Sequence, residues 1–212
     1  MKNKNLILIG GGGHCRSVIN VAECAGYTIL GVLDKPEKLG EHVLDYEVVG
    51  TDDDMAKYID IAEFVVTVGQ IKSPDLRMAL HQRVEKVGGR LATVISPTAC
   101  VSRCATVGEG TVVMHQAVVN AGAKIGKGCI INTFADVEHD SEIGDFCHIS
   151  TGAIVNGGCK VGKGSFLGTG ALIANQIEIG ENAVIGAGTV VVKSLPSDCI
   201  VYEVPSKVMR AK

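Results

Sequence analysis

The chain has 212 residues, of which 27 are glycine and none is tryptophan, and aromatic residues make up only 4%. An interior filled by aliphatic and small side chains is typical of a thin, repetitive β architecture rather than of an ordinary globular domain. The formal net charge is −3 and no basic cluster is present, which argues against binding to a phosphate backbone, so no nucleic-acid partner is expected.

The amino-terminal segment predicts neither a signal peptide nor a membrane span. Only four apolar residues, 6–9, follow its lysines, and four glycines end that run. The eight cysteines include no CxxC pair, so neither a disulfide framework nor a zinc site is expected, and no metal is expected either. The sequence therefore predicts a cytoplasmic protein without membrane insertion.

The first part of the chain alternates strand and helix signals. Short apolar runs predict strands at residues 6–9, 28–33, 64–68 and 91–95. Helical spacing predicts helices at residues 14–25 and 74–87, and three aspartates indicate a further helix start at residues 52–54. This βαβ order predicts a small Rossmann-like domain with a parallel sheet over residues 1–94.

A glycine-rich turn joins the first predicted strand to the first predicted helix. It consists of Gly10, Gly11, Gly12, Gly13 and His14. Backbone N–H groups at such a helix start hold phosphates, and Asp34, at the end of the next strand, is placed to contact a ribose or a base. Cys15 or Arg16 stands where the dinucleotide pattern needs a third glycine, so a nicotinamide cofactor is not expected. The turn favours the nucleotide part of a substrate, with a purely structural turn as the alternative.

The second part of the chain is a hexapeptide repeat. An aliphatic residue recurs at every sixth position from Ile95 to Val191, and the residue four places after each of those up to Ile185 is small except at Ile177. Three cysteines at the small positions are interpreted as apolar fillers: Cys129, Cys147 and Cys159. Glycines recur every 18 residues and are expected at a corner that requires positive φ: Gly108, Gly126, Gly144, Gly162 and Gly180. These periods predict a left-handed parallel β-helix with three hexapeptides per coil over residues 95–212, including a carboxy-terminal tail.

His139 and Asp140 give the sharpest chemical signal of this half. A neutral imidazole is a ready general base near pH 7, and an adjacent carboxylate can orient it. Gly157 follows His139 by 18 residues and therefore lies one coil above it, where its N–H group could act as an oxyanion donor. The alternatives are a solvated surface pair and a β-helix that serves only as a scaffold.

Five motifs spread over the chain carry a family resemblance. They are the glycine turn ending in His14, Ser96-Pro97-Thr98-Ala99, Val137-Glu138-His139-Asp140, Phe146-Cys147-His148-Ile149-Ser150 and Val204-Pro205-Ser206-Lys207. With these motifs, essentially the whole chain resembles bacterial sugar acyltransferases of the PglD/NeuD type. That family comprises nucleotide-amino-sugar N-acetyltransferases and sialic-acid O-acetyltransferases.

The resemblance implies transfer of an acetyl group from acetyl-CoA to a UDP- or GDP-linked 4-amino sugar in glycan biosynthesis, by direct attack on the thioester. It implies three catalytic residues: the general base His139, its partner Asp140 and the oxyanion donor Gly157. It implies substrate contacts from Gly10 to His14 and from Asp34, Lys35 and Asn132. It implies CoA contacts from His148, Gly157, Asn175, Gly186, Pro205 and Lys207. The family is trimeric, so a homotrimer with active sites between subunits is expected.

Two departures from the family pattern stand out. Lys35 follows Asp34 where many relatives carry two adjacent carboxylates, which affects the expected base preference. Glu203-Val204-Pro205-Ser206 replaces a common Gly-Val-Pro-Ala at the expected CoA end.

Three other functions remain as alternatives. The close rival is O-acetylation of a sialic acid, because the same base serves an amine or a hydroxyl. A metal-dependent hydratase of the γ-carbonic anhydrase type needs three converging imidazoles, and its ligand spacing is not matched by His115, His139 and His148. A β-helix without catalytic activity is the third.

Overall fold

The structure is a computed structural model that describes residues 4–202 in full and residues 207–211 in their backbone. It contains two compact units. The first comprises the residues up to Gly69 together with Asp75–Pro97, and the second comprises Gln70–Pro74 and the residues from Thr98 onward. Within the described ranges, no helix combines the length and the apolar content that crossing a membrane requires.

The first unit alternates strands and helices. Its strands are β1 Lys4–Ile9, β2 Tyr27–Leu33, β3 His42–Val43, β4 Tyr46–Gly50, β5 Glu63–Val66 and β6 Val94–Ile95. Its helices are α1 Gly13–Cys24 and α2 Asp75–Lys86, with short 3-10 helices at Pro36–Lys38 and Asp52–Lys57. Five strands form one sheet in the order β3-β4-β2-β1-β5, in which only the β3–β4 pair is antiparallel.

Strand β1 lies inside this sheet, with β2 on one side and β5 on the other. The sheet order therefore reverses at β1, and ligands of open α/β sheets bind beyond the carboxyl ends of the strands at such a point. The glycine turn follows β1 and lies there. The hairpin β3–β4 was not predicted, and at the predicted strand 91–95 the structure has one bridge from Leu91 to Phe64, followed by β6.

The second unit is a parallel β-helix of short strands. In chain order they are β7 Cys100–Val101, β8 Thr106–Val107, β9 Val112–Val113, β10 Val118–Val119, β11 Lys124–Ile125, β12 Ile130–Ile131, β13 Asp136–Val137, β14 Glu142–Ile143, β15 His148–Ile149, β16 Ile154–Val155, β17 Lys160–Val161, β18 Phe166–Leu167, β19 Leu172–Ile173, β20 Glu178–Ile179, β21 Val184–Ile185, β22 Val190–Val191, β23 Cys199–Tyr202 and β24 Lys207–Ala211.

From β7 to β19, each strand pairs in parallel with the strand one coil later, whereas β23 and β24 pair antiparallel. Val119 pairs with Val137, Val137 with Val155 and Val155 with Ile173, always 18 residues apart. This register confirms the prediction of three hexapeptides per coil. In each two-residue strand the second residue points inward, and every such residue from Val113 to Val191 is buried.

The strands form three faces. Face 1 contains β7, β10, β13, β16, β19 and β22; face 2 contains β8, β11, β14, β17 and β20; face 3 contains β9, β12, β15, β18, β21 and β23. The chain turns between them at three corners, called the 1–2, 2–3 and 3–1 corners after the faces that they join. His139 lies at the 1–2 corner, between β13 and β14.

The outward side chains differ between the faces. Those of face 1 are mostly apolar and at least partly exposed: Cys100, Val118, Asp136, Ile154, Leu172 and Val190. Those of face 2 alternate in charge and are exposed: Lys124, Glu142, Lys160 and Glu178. Those of face 3 are buried from β9 to β21: Val112, Ile130, His148, Phe166 and Val184. Among the described strands up to β22, face 1 is therefore the one that presents an open apolar surface.

The three cysteines at the small positions of the repeat are buried as predicted, but their thiols also make hydrogen bonds. Cys129 donates to the carbonyl of Gly144 at 3.2 Å, and Cys147 donates to that of Gly162 at 3.1 Å. Burial raises the pKa of the Cys147 thiol well above its ordinary value. These residues therefore tie each coil to a carbonyl of the next and are more than fillers.

The prediction of positive φ for the 18-residue glycine series was wrong. None of Gly108, Gly126, Gly144, Gly162 and Gly180 has positive φ. These glycines are required by close approach instead: a Cβ on Gly162 would lie 2.5 Å from the backbone nitrogen of Glu181 in the next coil. The left-handed conformation lies two residues later in each repeat, at Gly110, Gly128 and Gly164 for example.

Candidate active site

The glycine turn leaves open space in front of helix α1. Gly10 has a φ of +98°, and a Cβ on it would lie 2.5 Å from Cγ2 of Val68, so both conformation and space require glycine there. A Cβ on Gly12 or Gly13 would meet nothing within 4 Å. Gly12 is the residue that caps α1, and no side chain caps it. The first N–H groups of the helix therefore face a space that an anion can enter.

Asp34 holds this turn through its carboxylate. Its Oδ2 accepts a hydrogen bond from the backbone of Gly11 at 2.7 Å, and its Oδ1 accepts one from the backbone of Lys35 at 2.8 Å. The Lys35 side chain is exposed, and His14 is half-buried in the first turn of α1. The structure thus brings all the predicted residues of this region together, with Asp34 bonded to the turn itself.

His139 and Asp140 form the predicted pair on an exposed corner. Nδ1 of His139 lies 3.0 Å from Oδ2 of Asp140, and the two side chains are 60% and 74% exposed. An ionised carboxylate can only accept, so Nδ1 carries the hydrogen in this pair and Nε2 keeps its lone pair for an incoming proton. This is the arrangement of a general base.

A second carboxylate fixes the backbone at His139. Oε2 of Glu138 accepts from the backbone N–H of His139 at 3.2 Å and from Nδ2 of Asn120 at 2.9 Å. Sequence analysis did not single out this pair. The 18-residue register separates Asn120 from Glu138 and was the signal that could have found it.

Gly157 lies directly above the imidazole. A Cβ on Gly157 would come within 2.5 Å of Nε2 of His139, and the N–H of Gly158 donates to the His139 carbonyl at 2.9 Å. The Gly157 N–H donates to no acceptor among the described residues. At three equivalent turn positions the preceding side chain accepts this hydrogen bond: Ala121, Thr133 and His139. Backbone N–H groups of buried residues are seldom left unpaired, so the Gly157 N–H is a candidate donor to a ligand.

His148 is held on both sides and lies on face 3. Its Nδ1 lies 2.8 Å from the backbone oxygen of Gln70, which can only accept, so this nitrogen carries the hydrogen. Its Nε2 then accepts from Nδ2 of Asn132 at 3.1 Å. The ring is only 7% exposed and meets Phe166 edge to face, with 5.2 Å between ring centroids. Gln70 is 78 residues away in sequence and was missed, because no periodicity links it to the repeat.

The remaining predicted CoA residues lie on two corners. Asn175 is exposed at the 1–2 corner, one coil above Gly157. Gly186 lies at the 3–1 corner in the same column as Asn132, and a Cβ on it would contact the Tyr202 ring. Pro205 lies outside the described residues, and Lys207 is described in its backbone alone.

Among the described residues, no group of three or more His, Cys, Asp and Glu side chains is arranged to hold a metal ion. The thiol nearest to the glycine turn is Cys15. Burial raises its pKa to about 11, so it is protonated at neutral pH and does not act as a nucleophile. The chemistry that the described side chains support is therefore proton transfer at His139.

Sequence profiles of known families match both parts of the chain. The sequence profile of the PglD N-terminal domain matches residues 5–84, and that of the bacterial transferase hexapeptide, six repeats long, matches residues 140–175 and 158–193. A comparison with curated proteins gives no match.

Several solved structures are similar over nearly the whole chain. One is a variant of perosamine N-acetyltransferase from Caulobacter crescentus in complex with CoA and GDP-perosamine, which is 33% identical over 97% of both chains with a TM-score of 0.91. Another is the acetyltransferase domain of PglB from Neisseria gonorrhoeae in complex with acetyl coenzyme A, which is 33% identical over 98% of this chain and 100% of that chain with a TM-score of 0.91.

WeeI from Acinetobacter baumannii is 24% identical over 98% of this chain and 100% of that chain, with a TM-score of 0.86, and supports the fold alone. The family resemblance is confirmed by these matches. So is the predicted fold class, a small Rossmann-like α/β domain followed by a left-handed parallel β-helix.

Proposed function

The chain belongs to the PglD-type family of bacterial sugar acyltransferases, and we propose that it transfers the acetyl group of acetyl-CoA to the amine of a nucleotide-linked amino sugar. The observation that carries this proposal is the stacking of Gly157 on the His139–Asp140 pair. The complexes of similar acetyltransferases with CoA and GDP-perosamine support both substrates. A cytoplasmic role in glycan biosynthesis belongs to the same proposal.

In the proposed reaction His139 acts as the general base. The amine of the sugar attacks the thioester carbonyl carbon while Nε2 of His139 removes its proton. Asp140 keeps the hydrogen on Nδ1 and stabilises the imidazolium that forms, since its carboxylate lies 3.0 Å away. The same proton then passes to the sulfur when the C–S bond breaks, so CoA leaves as the thiol.

Gly157 supplies the oxyanion donor in this proposal. Negative charge develops on the thioester oxygen as the amine adds, and a preorganised N–H group there stabilises the transition state. Gly157 is a buried residue above the imidazole, and its N–H donates to no acceptor among the described residues. The absence of a Cβ lets the thioester approach without displacing the ring.

A homotrimer explains why the predicted site residues occupy two corners. If face 1 of each copy packs around a threefold axis, its open apolar surface is buried. The 1–2 corner of one copy then meets the 3–1 corner of the next. Such an arrangement brings His139 and Gly157 of one copy close to the Asn132 and Gly186 column of its neighbour. His148 of that neighbouring copy, hydrogen-bonded to Asn132 and Gln70, then acts as a positioning residue.

The glycine turn would receive the diphosphate of the substrate. The open space at Gly12 and Gly13 and the N-terminus of α1 both favour negative charge there. Lys35, exposed beside Asp34, adds a positive charge next to the turn.

The decisive experiment follows thiol release from acetyl-CoA by the purified chain, with GDP- and UDP-linked 4-amino sugars and free sialic acid as acceptors. Turnover with a nucleotide amino sugar is expected, and replacement of His139 by Ala should lower kcat by roughly 10² to 10⁴-fold. Light scattering of both proteins should give a mass of about 66 kDa, three times that of the 22.1 kDa chain.

Other outcomes would point elsewhere. Turnover with sialic acid alone would assign O-acetylation. Wild-type activity in His139→Ala would contradict the base assignment, and a monomer with full activity would contradict the shared site.

A further inference from the structure

Every hexapeptide from Val107 to Ile185 places one residue in the left-handed conformation, three positions after its inward aliphatic side chain. Eight of these residues are glycine: Gly110, Gly122, Gly128, Gly152, Gly158, Gly164, Gly170 and Gly188. Six are not: Gln116, Phe134, Asp140, Phe146, Gln176 and Asn182. The left-handed conformation disfavours every side chain except glycine, and asparagine or aspartate to a lesser degree. A bulky aromatic residue there needs a separate reason.

Phe134 has no such reason within the described part of the chain. Its φ is +59°, its side chain is 59% exposed, and it forms no ring contact with the described residues. The other three phenylalanines, Phe64, Phe146 and Phe166, are at most 9% exposed. Phe146 shares the left-handed conformation but is buried, so packing accounts for it. Phe134 combines an unfavourable backbone with an exposed apolar ring, and this combination indicates a functional role.

The position of Phe134 connects it with the proposed site. It follows Asn132 by two residues on the 3–1 corner, where Asn132 bonds to His148. One coil above it in the same corner column stands Gly152, and a Cβ there meets nothing within 4 Å. The corner is thus open to the outside. In the threefold arrangement of the proposed function, on which this inference rests, the Phe134 ring faces the His139 corner of the neighbouring copy.

The coil on which the Phe134 ring lies indicates which part of the substrates the ring contacts. Phe134 and His139 flank the same strand, β13, and therefore lie on the same coil. Gly157 and Asn175 lie one and two coils above His139 at the 1–2 corner, so the thioester and the CoA chain extend upward from His139. The group that remains at the level of His139 is the sugar that carries the attacking amine.

We propose that Phe134 is a substrate-binding residue whose ring packs against the apolar C–H face of the acceptor sugar. A flat aromatic ring offers a pyranose a large apolar surface and fixes its orientation, while the polar groups of the site bind its amine and hydroxyls. The residue would thereby favour amino sugars that present a continuous C–H face, such as deoxy sugars.

The test compares Phe134→Gly with Gln116→Gly. Both variants install glycine in a left-handed position of the same corner column, so the control reports the backbone change alone. For Phe134→Gly we expect a KM for the nucleotide amino sugar about tenfold higher. Three quantities should not change: the KM for acetyl-CoA, the mass of the trimer and the inhibition constant of the sugar-free nucleoside diphosphate. The variant Phe134→Tyr should keep the wild-type KM for the sugar. Gln116→Gly should behave as wild type.

Four results would overturn this assignment. An unchanged sugar KM in Phe134→Gly would mean that the ring does not contact the sugar. Dissociation of the trimer would make Phe134 a subunit contact. Weaker inhibition by the nucleoside diphosphate, with no other change, would mean that the ring contacts the nucleotide base. A higher KM for acetyl-CoA with an unchanged KM for the sugar would mean that the ring contacts acetyl-CoA. A wild-type chain that acetylates no nucleotide amino sugar would instead contradict the proposed function itself.

Discussion

The imidazole of His139 occupies the space that any side chain on Gly157 would need. A Cβ there would lie 2.5 Å from Nε2 and 2.7 Å from Cε1 of the ring. The backbone of Gly157 is not in the left-handed region, so its conformation would accept alanine. Glycine is therefore required at this position by the approach of the imidazole, one coil below.

Replacement of Gly157 by Ala should consequently abolish most of the activity and leave the fold intact. The exposed imidazole can swing away from the new methyl group, which removes the base from its reactive position, and misplacement by about 1 Å lowers rates by about 10²-fold. We expect kcat to fall by that factor with little change in melting temperature. The variant Gly157→Ala/His139→Ala should match His139→Ala, because the methyl group then displaces no ring and the N–H is kept; an additional loss would mean that the methyl group also obstructs the thioester.

Replacement of Asp140 by Asn tests the carboxylate separately. Asn keeps an oxygen for Nδ1 of His139 and tolerates the left-handed backbone of Asp140, whose φ is +58°. It carries no charge to stabilise the imidazolium, so kcat should fall by roughly 10-fold to 10²-fold with an unchanged KM for either substrate. Asp198→Asn, at another left-handed position with φ of +55°, is the control. Equal activity of the two variants would leave Asp140 without a part in the reaction.

The periods of the sequence predicted the features that depend on the coil alone. The stacking of Gly157 on His139 follows from three hexapeptides per coil, because strand pairing fixes residues 18 apart in vertical register. The same periods misassigned the glycine series of Gly162. Periodicity reveals that a glycine is needed but cannot separate a positive φ from close approach of the next coil.

Contacts from outside the repeat could not be predicted. The tautomer of His148 is set by the backbone oxygen of Gln70, a residue that lies beyond any period of the β-helix. Asp34 was expected at a ribose or base, and the structure adds its hydrogen bond to Gly11, which depends on a tertiary approach of two loops. Strand β3 of the hairpin β3–β4 has only two residues, too few for an alternating pattern.

The glycine turn yields a prediction about nucleotide binding. Gly12→Ala adds a methyl group that meets nothing in the chain, so the melting temperature should not change. If a diphosphate approaches the N–H groups of α1, that methyl group obstructs it, and calorimetry should show nucleoside diphosphate binding weakened about tenfold or more. Gly11→Ala places a methyl group 2.9 Å from Oδ2 of Asp34 and should lower both stability and binding. Undiminished binding by Gly12→Ala would exclude the turn as the phosphate site.

Ser165 yields a prediction about coil stability. Its buried hydroxyl donates to the carbonyl of Gly180 at 2.8 Å and accepts from the N–H of Ala183 at 3.0 Å. Ser165→Ala leaves both groups without this partner and should destabilise the β-helix by about 1–3 kcal/mol, measured by urea unfolding. Ser165→Cys should lose less, since Cys147 in the same column makes the equivalent bond to Gly162. Equal losses for the two variants would contradict this account.

Asp136 is the one outward carboxylate among the described strands of face 1, and its position predicts a pH dependence. Its Oδ1 is buried without a hydrogen-bond partner, and its outward neighbours one coil away are Val118 and Ile154. Burial raises the pKa of Asp136 above its ordinary value, and the charge of Glu138 raises it further. The folded chain thus holds this proton more tightly than the unfolded chain does. The ionised group therefore lowers stability above its raised pKa, and the penalty disappears as pH falls towards the ordinary aspartate value.

Asp136→Asn removes that charge with little change in shape. At pH 7.5 the variant should melt about 2 °C higher than the wild type, and the difference should shrink as pH falls towards 4, because the folded wild type takes up the proton before the unfolded chain does. Packing of face 1 in a trimer would enlarge the gain, because three copies of the carboxylate would then leave water together. Melting curves between pH 4 and pH 8 measure the difference directly. A variant that is less stable than the wild type at pH 7.5 would mean that Asp136 has a cationic or hydrogen-bonding partner in the assembled protein.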